Sequence, residues 1–120
     1  MTYFFDSYAI IELSESAASY EEYRGFEIIT SVLNIGEIYQ IILRKKGKEE
    51  ADSWFKNINF NLLEITPEII IEAVYFRHSS SKNNFSLPDA VGYRLSLGHN
   101  IKFLTGDKQF ENMPNVEFVK

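Results

Sequence analysis

The chain has 120 residues, 45% hydrophobic and 15% aromatic, enough apolar material for one compact domain over residues 1–120 and too much for a disordered chain. It has no cysteine, which excludes a disulfide framework and a thiolate zinc site and is compatible with the cytoplasm. A formal net charge of −5 argues against gripping nucleic acid through a broad basic face. It does not argue against a nuclease whose negative charge is gathered at a metal site.

The amino-terminal stretch lacks a basic region followed by an apolar run and a small-residue cleavage site, and carries an aspartate by position 6. No stretch approaches the roughly 18 apolar residues of a membrane span. Neither a secretory leader nor a membrane partner is expected.

Taken in chain order, "TYFF" (2–5) is β-prone and aromatic without a helical period, and is expected to be a buried strand. Ser7 is expected to cap a helix reaching about Ser14. "SAASYEEYRGF" follows as a second helical piece ending near Gly25, and "FEIIT" as a second strand. Ser31 then caps a long helix through "VLNIGEIYQIILRKKG". Its Leu33, Ile35, Ile38, Ile41 and Ile42 recur at helical spacing, and Gly47 stops it. "KEEADSWFKNI" is a helix and "FNLLEI" a third strand. Thr66–Pro67 gives a cap and a first-turn proline for "EIIIEAVYFRHSS", whose apolar run is expected to be core. After the polar loop "SSSKNN", Ser86-Leu87-Pro88-Asp89 opens "AVGYRLSLGHN". "IKFLT" is a fourth strand, "KQFEN" a helical turn and "VEFVK" a last strand.

Strands alternating with helices point to a three-layer α/β/α sandwich around a mostly parallel sheet with right-handed crossovers. Ligands in such sheets sit outside the carboxyl ends of the strands. Asp6 follows the first strand and Asp107 the fourth, so the two ends of the sequence meet on that edge. Glu37, in the helix after strand two, and Asp89, in the first turn of the helix before strand four, fit the same edge. Four acids there repel one another unless a divalent cation neutralises them. Carboxylates without Cys or clustered His favour Mg²⁺ or Mn²⁺ over zinc. Each acid also has a local reading: Asp6 as a helix cap, Glu37 as a solvated helix residue, Asp89 as half of a capping box, Asp107 as the turn residue of Thr-Gly-Asp.

The remaining signals have structural readings. Arg44, Lys45, Lys46 and Lys48 fit a cationic helix end favoured by the macrodipole, with an RNA-contacting patch as the alternative. His78 and His99 lack metal-ligand spacing. Tyr20, Tyr23, Trp54 and Phe55 should mostly pack inside.

"FFDSYAII", "TSVLNIGEIY" and "LPDAVGYRLSLGHNIKFLTGDKQF", in this order, resemble the PIN-domain ribonucleases, and among them the short toxins of the VapBC toxin–antitoxin type. The resemblance covers nearly the whole chain. It implies a five-stranded parallel sheet and Mg²⁺- or Mn²⁺-dependent cleavage of single-stranded or structured RNA. It also implies a homodimer and inhibition by a cognate antitoxin, whose helix a few of the aromatic residues above would receive in a groove. Asp6, Glu37, Asp89 and Asp107 match the family's acidic quartet, as catalytic residues and metal ligands. Ser7 and Thr105 match its small hydroxyl positions beside the metal site. Tyr8 departs from the pattern, standing where such toxins often have a small polar residue. A solitary RNA-processing PIN nuclease and a PIN-like module without catalysis are the alternatives. A phosphoacceptor receiver domain fits poorly, because Asp6 has no acidic neighbour and strand three runs into Thr66-Pro67.

Overall fold

The computed structural model describes residues 1–120. Five strands form one all-parallel sheet in the order β3-β2-β1-β4-β5: β1 Tyr3–Phe5, β2 Ile29–Thr30, β3 Asn61–Leu62, β4 Lys102–Thr105 and β5 Val116–Phe118. The helices are α1 Ser7–Ser14, α2 Val32–Lys46, α3 Lys48–Asn57, α4 Pro67–Ser79 and α5 Leu87–Gly98, with 3₁₀ turns at Ala18–Tyr23 and Lys108–Phe110. No helix is long and apolar enough to cross a membrane.

The strand pleat divides the core. On β1, Tyr3 and Phe5 face one layer and Phe4 the other; on β4, Leu104 and Phe103 do the same. Tyr3, Phe5 and Leu104 pack with Ala9, Ile10, Leu13, Tyr20, Tyr23 and Ile38, beneath α1 and α2. Phe4 and Phe103 pack with Phe85, Val91, Tyr93, Leu95 and Phe110, beneath α5. The second cluster is largely aromatic: Phe85 stacks on Phe110 at 4.6 Å, and Phe110 lies 4.8 Å from Phe103.

Local chemistry sets the helix ends much as the sequence suggests. Ser31 and Thr66 cap α2 and α4, and Ser86 and Asp89 form a complete capping box on α5. Gly47, at φ 91°, ends α2 where a β-carbon would be strained. Two expectations are corrected. Asp6, not Ser7, caps α1, accepting from the Ala9 N–H at 2.8 Å, while Ser7 is the first helical residue. The apolar run of α4 is not all core. Ala73 is buried and Ile69, Ile70 and Phe76 pack inward, but Ile71, Val74 and Tyr75 are 69%, 50% and 70% exposed. Apolar residues occupy every side of this helix, so one stripe has nothing to cover it.

The approach of α5 to the sheet depends on Gly92. A β-carbon there would lie 2.7 Å from Phe4 Cε1 and 3.2 Å from Phe103 Cε1, on rings that are fully buried and have nowhere to go. Gly92→Ala would gain up to about 1 kcal/mol of helix propensity but incur overpacking of about 1–3 kcal/mol. Overpacking wins, and the variant should melt below wild type in thermal denaturation. A rise in melting temperature would show that α5 does not sit against β1 and β4 as described.

Candidate functional site

The strand order reverses between β1 and β4, since β2 and β3 extend the sheet one way and β5 the other. Phe5 pairs with Leu104, and the Asp6 N–H donates to the Leu104 carbonyl at 3.2 Å. Asp6 therefore leaves β1 beside Thr105, the last residue of β4, at the switch point where α/β sheets place ligands. Its side chain is only 2% exposed.

Four acids gather at this edge. Asp89 and Asp107 both act on Asp6, and Glu37 and Asp107 both act on Asp89. The Ser86 hydroxyl joins Glu37 to the start of α5, 3.4 Å from a Glu37 oxygen. No lysine or arginine pairs with any of the four. Burial, reinforced by the neighbouring carboxylates, pushes Asp6 up to about 8, although the Thr105 hydroxyl and the Ala9 N–H favour its ionised form. Burial likewise raises Asp89 to about 6 against the donors of Ser86, with Glu37 and Asp107 adding to the rise. As the side chains lie, no three acidic or imidazole groups stand close enough together to hold an ion. The donor set is nonetheless all oxygen, and its buried charge is uncompensated, which suits a hard divalent cation in chemistry and in charge.

The local readings of three of these acids also hold. One oxygen of Asp6 accepts from Ala9, one of Asp89 from the Ser86 N–H at 2.9 Å, and one of Asp107 from the Gln109 N–H at 3.0 Å. A cap uses one oxygen and fixes the carboxylate at the sheet edge, so capping and a shared site are compatible. Thr105 links two of the acids: its hydroxyl oxygen accepts from the Asp107 N–H at 3.0 Å while the same group favours ionised Asp6. Ser7 is differently engaged, accepting from Asn34 Nδ2 at 3.1 Å.

Three residues at the site go beyond the sequence expectation. Asn34 is fully buried and ties Ser7 to the Ser31 hydroxyl, which donates to Asn34 Oδ1 at 2.6 Å. Ser86 serves Asp89 and Glu37 as well as the helix start. Gln109 clasps the backbone of Asn84, accepting from its N–H and donating to its carbonyl at 3.3 Å, which braces the Asp107 turn against the loop leading to Asp89. Nothing in the sequence signals that pairing. Arg44, Lys45 and Lys46 occupy the last turn of α2, and Lys48 pairs with Asp52. His78 lies in the last turn of α4 and His99 caps α5. A cavity of about 460 Å³ lies away from the acids among α1, α2 and α3, lined by Ile11, Ile38, Ile42 and Trp54. Phe55 is exposed.

The fold has counterparts among known proteins. A family model described as the PIN domain matches residues 3–116. The chain is similar to Mycobacterium tuberculosis VapC20, described as a sarcin-ricin loop cleaving toxin, with a TM-score of 0.80 and 16% identity over 99% of this chain and 100% of that one. It is similar to a chain of a Klebsiella pneumoniae toxin–antitoxin complex (TM-score 0.69, 18% identity, 98% and 96% covered). It also resembles a chain of Rickettsia felis VapBC2, solved bound to a DNA fragment from its promoter (TM-score 0.73, 14% identity, 100% of both chains covered). At these identities the likeness is one of fold. No curated protein matches the sequence.

The raised acids set a pH dependence. The folded protein holds protons on Asp6 and Asp89 that the unfolded chain releases near pH 4. Stability in EDTA should therefore fall as pH rises from about 4 through 6 and on to 8. Asp6→Asn keeps a capping oxygen and removes the charge. It should flatten this slope and raise metal-free stability at pH 8 by on the order of a few kcal/mol. Melting curves between pH 5 and pH 8 test this; parallel slopes for the two proteins would mean that Asp6 is not a destabilised carboxylate.

Proposed function

The chain belongs to the PIN domain family, and on that premise we propose that it is a metal-dependent endoribonuclease, the toxin of a type II toxin–antitoxin pair. The observation that carries the reading is the uncompensated acidic edge: Asp6, Asp89 and Asp107 act on one another and Glu37 on Asp89 at the strand switch, with no ion pair to a cation of the protein.

Asp6, Asp89 and Asp107 would hold Mg²⁺ or Mn²⁺, with Glu37 as a further ligand or as the group that orients the attacking water. When bound, such an ion acidifies a coordinated water and draws charge from a phosphoryl oxygen. The chain's own part is to fix the donors. Each of the three helix caps fixes its carboxylate through a backbone N–H, and Thr105 holds Asp6 and the Asp107 turn in register. The aromatic floor of Phe85, Phe103 and Phe110 keeps water from one side and strengthens every charge interaction above it. Water attack on the phosphodiester leaves 5′-phosphate and 3′-hydroxyl ends.

Two further surfaces support the partners of such a toxin. The groove among α1, α2 and α3 offers the partly exposed Ile11, Ile42 and Trp54 to an amphipathic antitoxin helix. On the opposite side of the sheet, the bare stripe of Ile71, Val74 and Tyr75 suits a second copy of the chain.

Purified protein should cut single-stranded RNA in Mg²⁺ or Mn²⁺ and lose the activity in EDTA. Asp107→Asn should lose most cleavage, by about 10²-fold or more, and gain less thermal stability from Mg²⁺ than wild type does. Undiminished cutting in excess EDTA would sink the reading. The protein should also sediment as a dimer, and Tyr75→Asp should shift it toward monomer while its circular dichroism stays that of wild type. A wild-type monomer at high micromolar concentration would rule out the α4 interface.

A further inference from the structure

Tyr8 stands in the first turn of α1, two residues after Asp6, and is 40% exposed. Its ring lies over Gly106, between Thr105 and Asp107. A β-carbon at Gly106 would collide with Tyr8 Cε1 and would lie 2.5 Å from the Val119 carbonyl oxygen and 2.8 Å from the Tyr20 hydroxyl. The bare backbone of the Thr-Gly-Asp turn thus serves as a seat for the ring. Tyr20, Tyr23, Tyr39 and Tyr93 each donate their hydroxyl to a protein oxygen, and Tyr20, Tyr23 and Tyr93 also pack ring against ring. Tyr8 does neither, so its outer surface is free beside the acids.

A polyanion meets an adverse field here. The chain carries −5, and the edge concentrates carboxylates that no lysine or arginine neutralises. Phosphate contacts alone give little affinity at such a place. Stacking of a base on an aromatic ring is insensitive to that field and tolerates any base. It also requires an unpaired, splayed base, as single-stranded RNA supplies.

We propose that Tyr8 is the base-stacking platform of this site: its exposed ring, seated on Gly106, holds a nucleobase next to the phosphodiester presented to Asp6 and Asp107. The proposal rests on the ribonuclease reading and adds to it a residue that favours single-stranded substrate. Tyr8 binds rather than reacts. Its loss weakens RNA binding and leaves the acids and their affinity for an ion in place.

The test uses short, unstructured, fluorescein-labelled RNA of mixed sequence, with Ca²⁺ replacing Mg²⁺ and the RNA checked for integrity by gel. By anisotropy, Tyr8→Leu, which keeps a bulky apolar side chain over Gly106, should bind about tenfold more weakly than wild type. Tyr8→Phe, which restores a ring, should recover most of that loss. An abasic nucleotide walked along the RNA should cost the wild type affinity at one position and cost Tyr8→Leu little there. Mg²⁺ should raise the melting temperature of Tyr8→Leu as much as that of wild type. If Tyr8→Leu fails to fold, 2-aminopurine at the same position, quenched on the wild-type protein by stacking, gives the answer without it. Tyr8→Leu binding RNA as wild type does, or no position showing quenching, overturns the platform while leaving ribonuclease activity standing. Wild-type protein that neither binds nor cuts RNA overturns the ribonuclease reading and the platform together.

Discussion

A carboxylate kept from water at the seam between β1 and β4 governs this molecule. Asp6 is 2% exposed, faces two further aspartates and has no cation partner. An uncompensated charge in such a place costs several kcal/mol, and the usual escape is protonation. The stability needed to hold it comes from elsewhere, chiefly the aromatic chain of Phe4, Phe103, Phe110, Phe85, Phe76 and Tyr93 packed between the sheet, α4 and α5. The same chain worsens the electrostatic problem. Phe85 immediately precedes Ser86 of the capping box, and Phe110 closes the turn begun by Asp107. Low-polarity rings beneath the acids amplify their repulsion and would amplify equally their attraction for a cation.

Helix caps solve the geometric half of the problem. A carboxylate on a flexible stem at a strand end would swing toward solvent. Here Asp6 is the cap of α1, Asp89 the reciprocal partner in the cap of α5, and Asp107 the cap of the last 3₁₀ turn. Each N–H takes one oxygen, favours the anion and fixes the carboxylate at the edge, with the Thr105 and Ser86 hydroxyls donating in addition to Asp6 and Asp89. Gly92 contributes by letting α5 approach close enough to the sheet for Asp89 to join the others. Gln109 contributes by tying the Asp107 turn to the loop before α5. The site is an outcome of ordinary helix starts brought to one edge by topology.

That construction explains what was legible in the sequence. Alternating strands and helices, with acids after the first and fourth strands, gave the layers and the edge, because both signals are local. Helix starts at Ser31, Thr66 and Ser86 were legible for the same reason. Strand extent was not. "FEIIT" is strand only at Ile29 and Thr30, and "FNLLEI" only at Asn61 and Leu62, because pairing depends on how far the neighbouring strand runs alongside. The cap of α1 was misassigned because Asp6 and Ser7 are both capping types and only the backbone turn chooses between them. The exposed stripe of α4 was invisible because a helix that is apolar all round has no periodicity to show which side is bare. The Asn34 and Gln109 contacts bridge 27 and 25 residues of sequence, and pairings over that range leave no mark on a single chain.

The layered architecture also keeps the exposed apolar surfaces from interfering with one another. The groove of Ile11, Ile42 and Trp54 belongs to the α1–α3 layer, and the stripe of Ile71, Val74 and Tyr75 to α4 in the other layer. The sheet separates them, so an occupant of one need not displace an occupant of the other. The acidic edge belongs to both layers, since α1 and α2 bring Asp6 and Glu37 while α5 brings Asp89. A rigid shift of either layer against the sheet therefore changes the spacing of the acids. Of the two surfaces, only the groove includes a helix that itself bears an edge residue: Ile11 lines the groove one turn along α1 from Tyr8. Pressure on that helix reaches Asp6 through its own cap, whereas the α4 stripe is coupled to the acids only through the packing of α5.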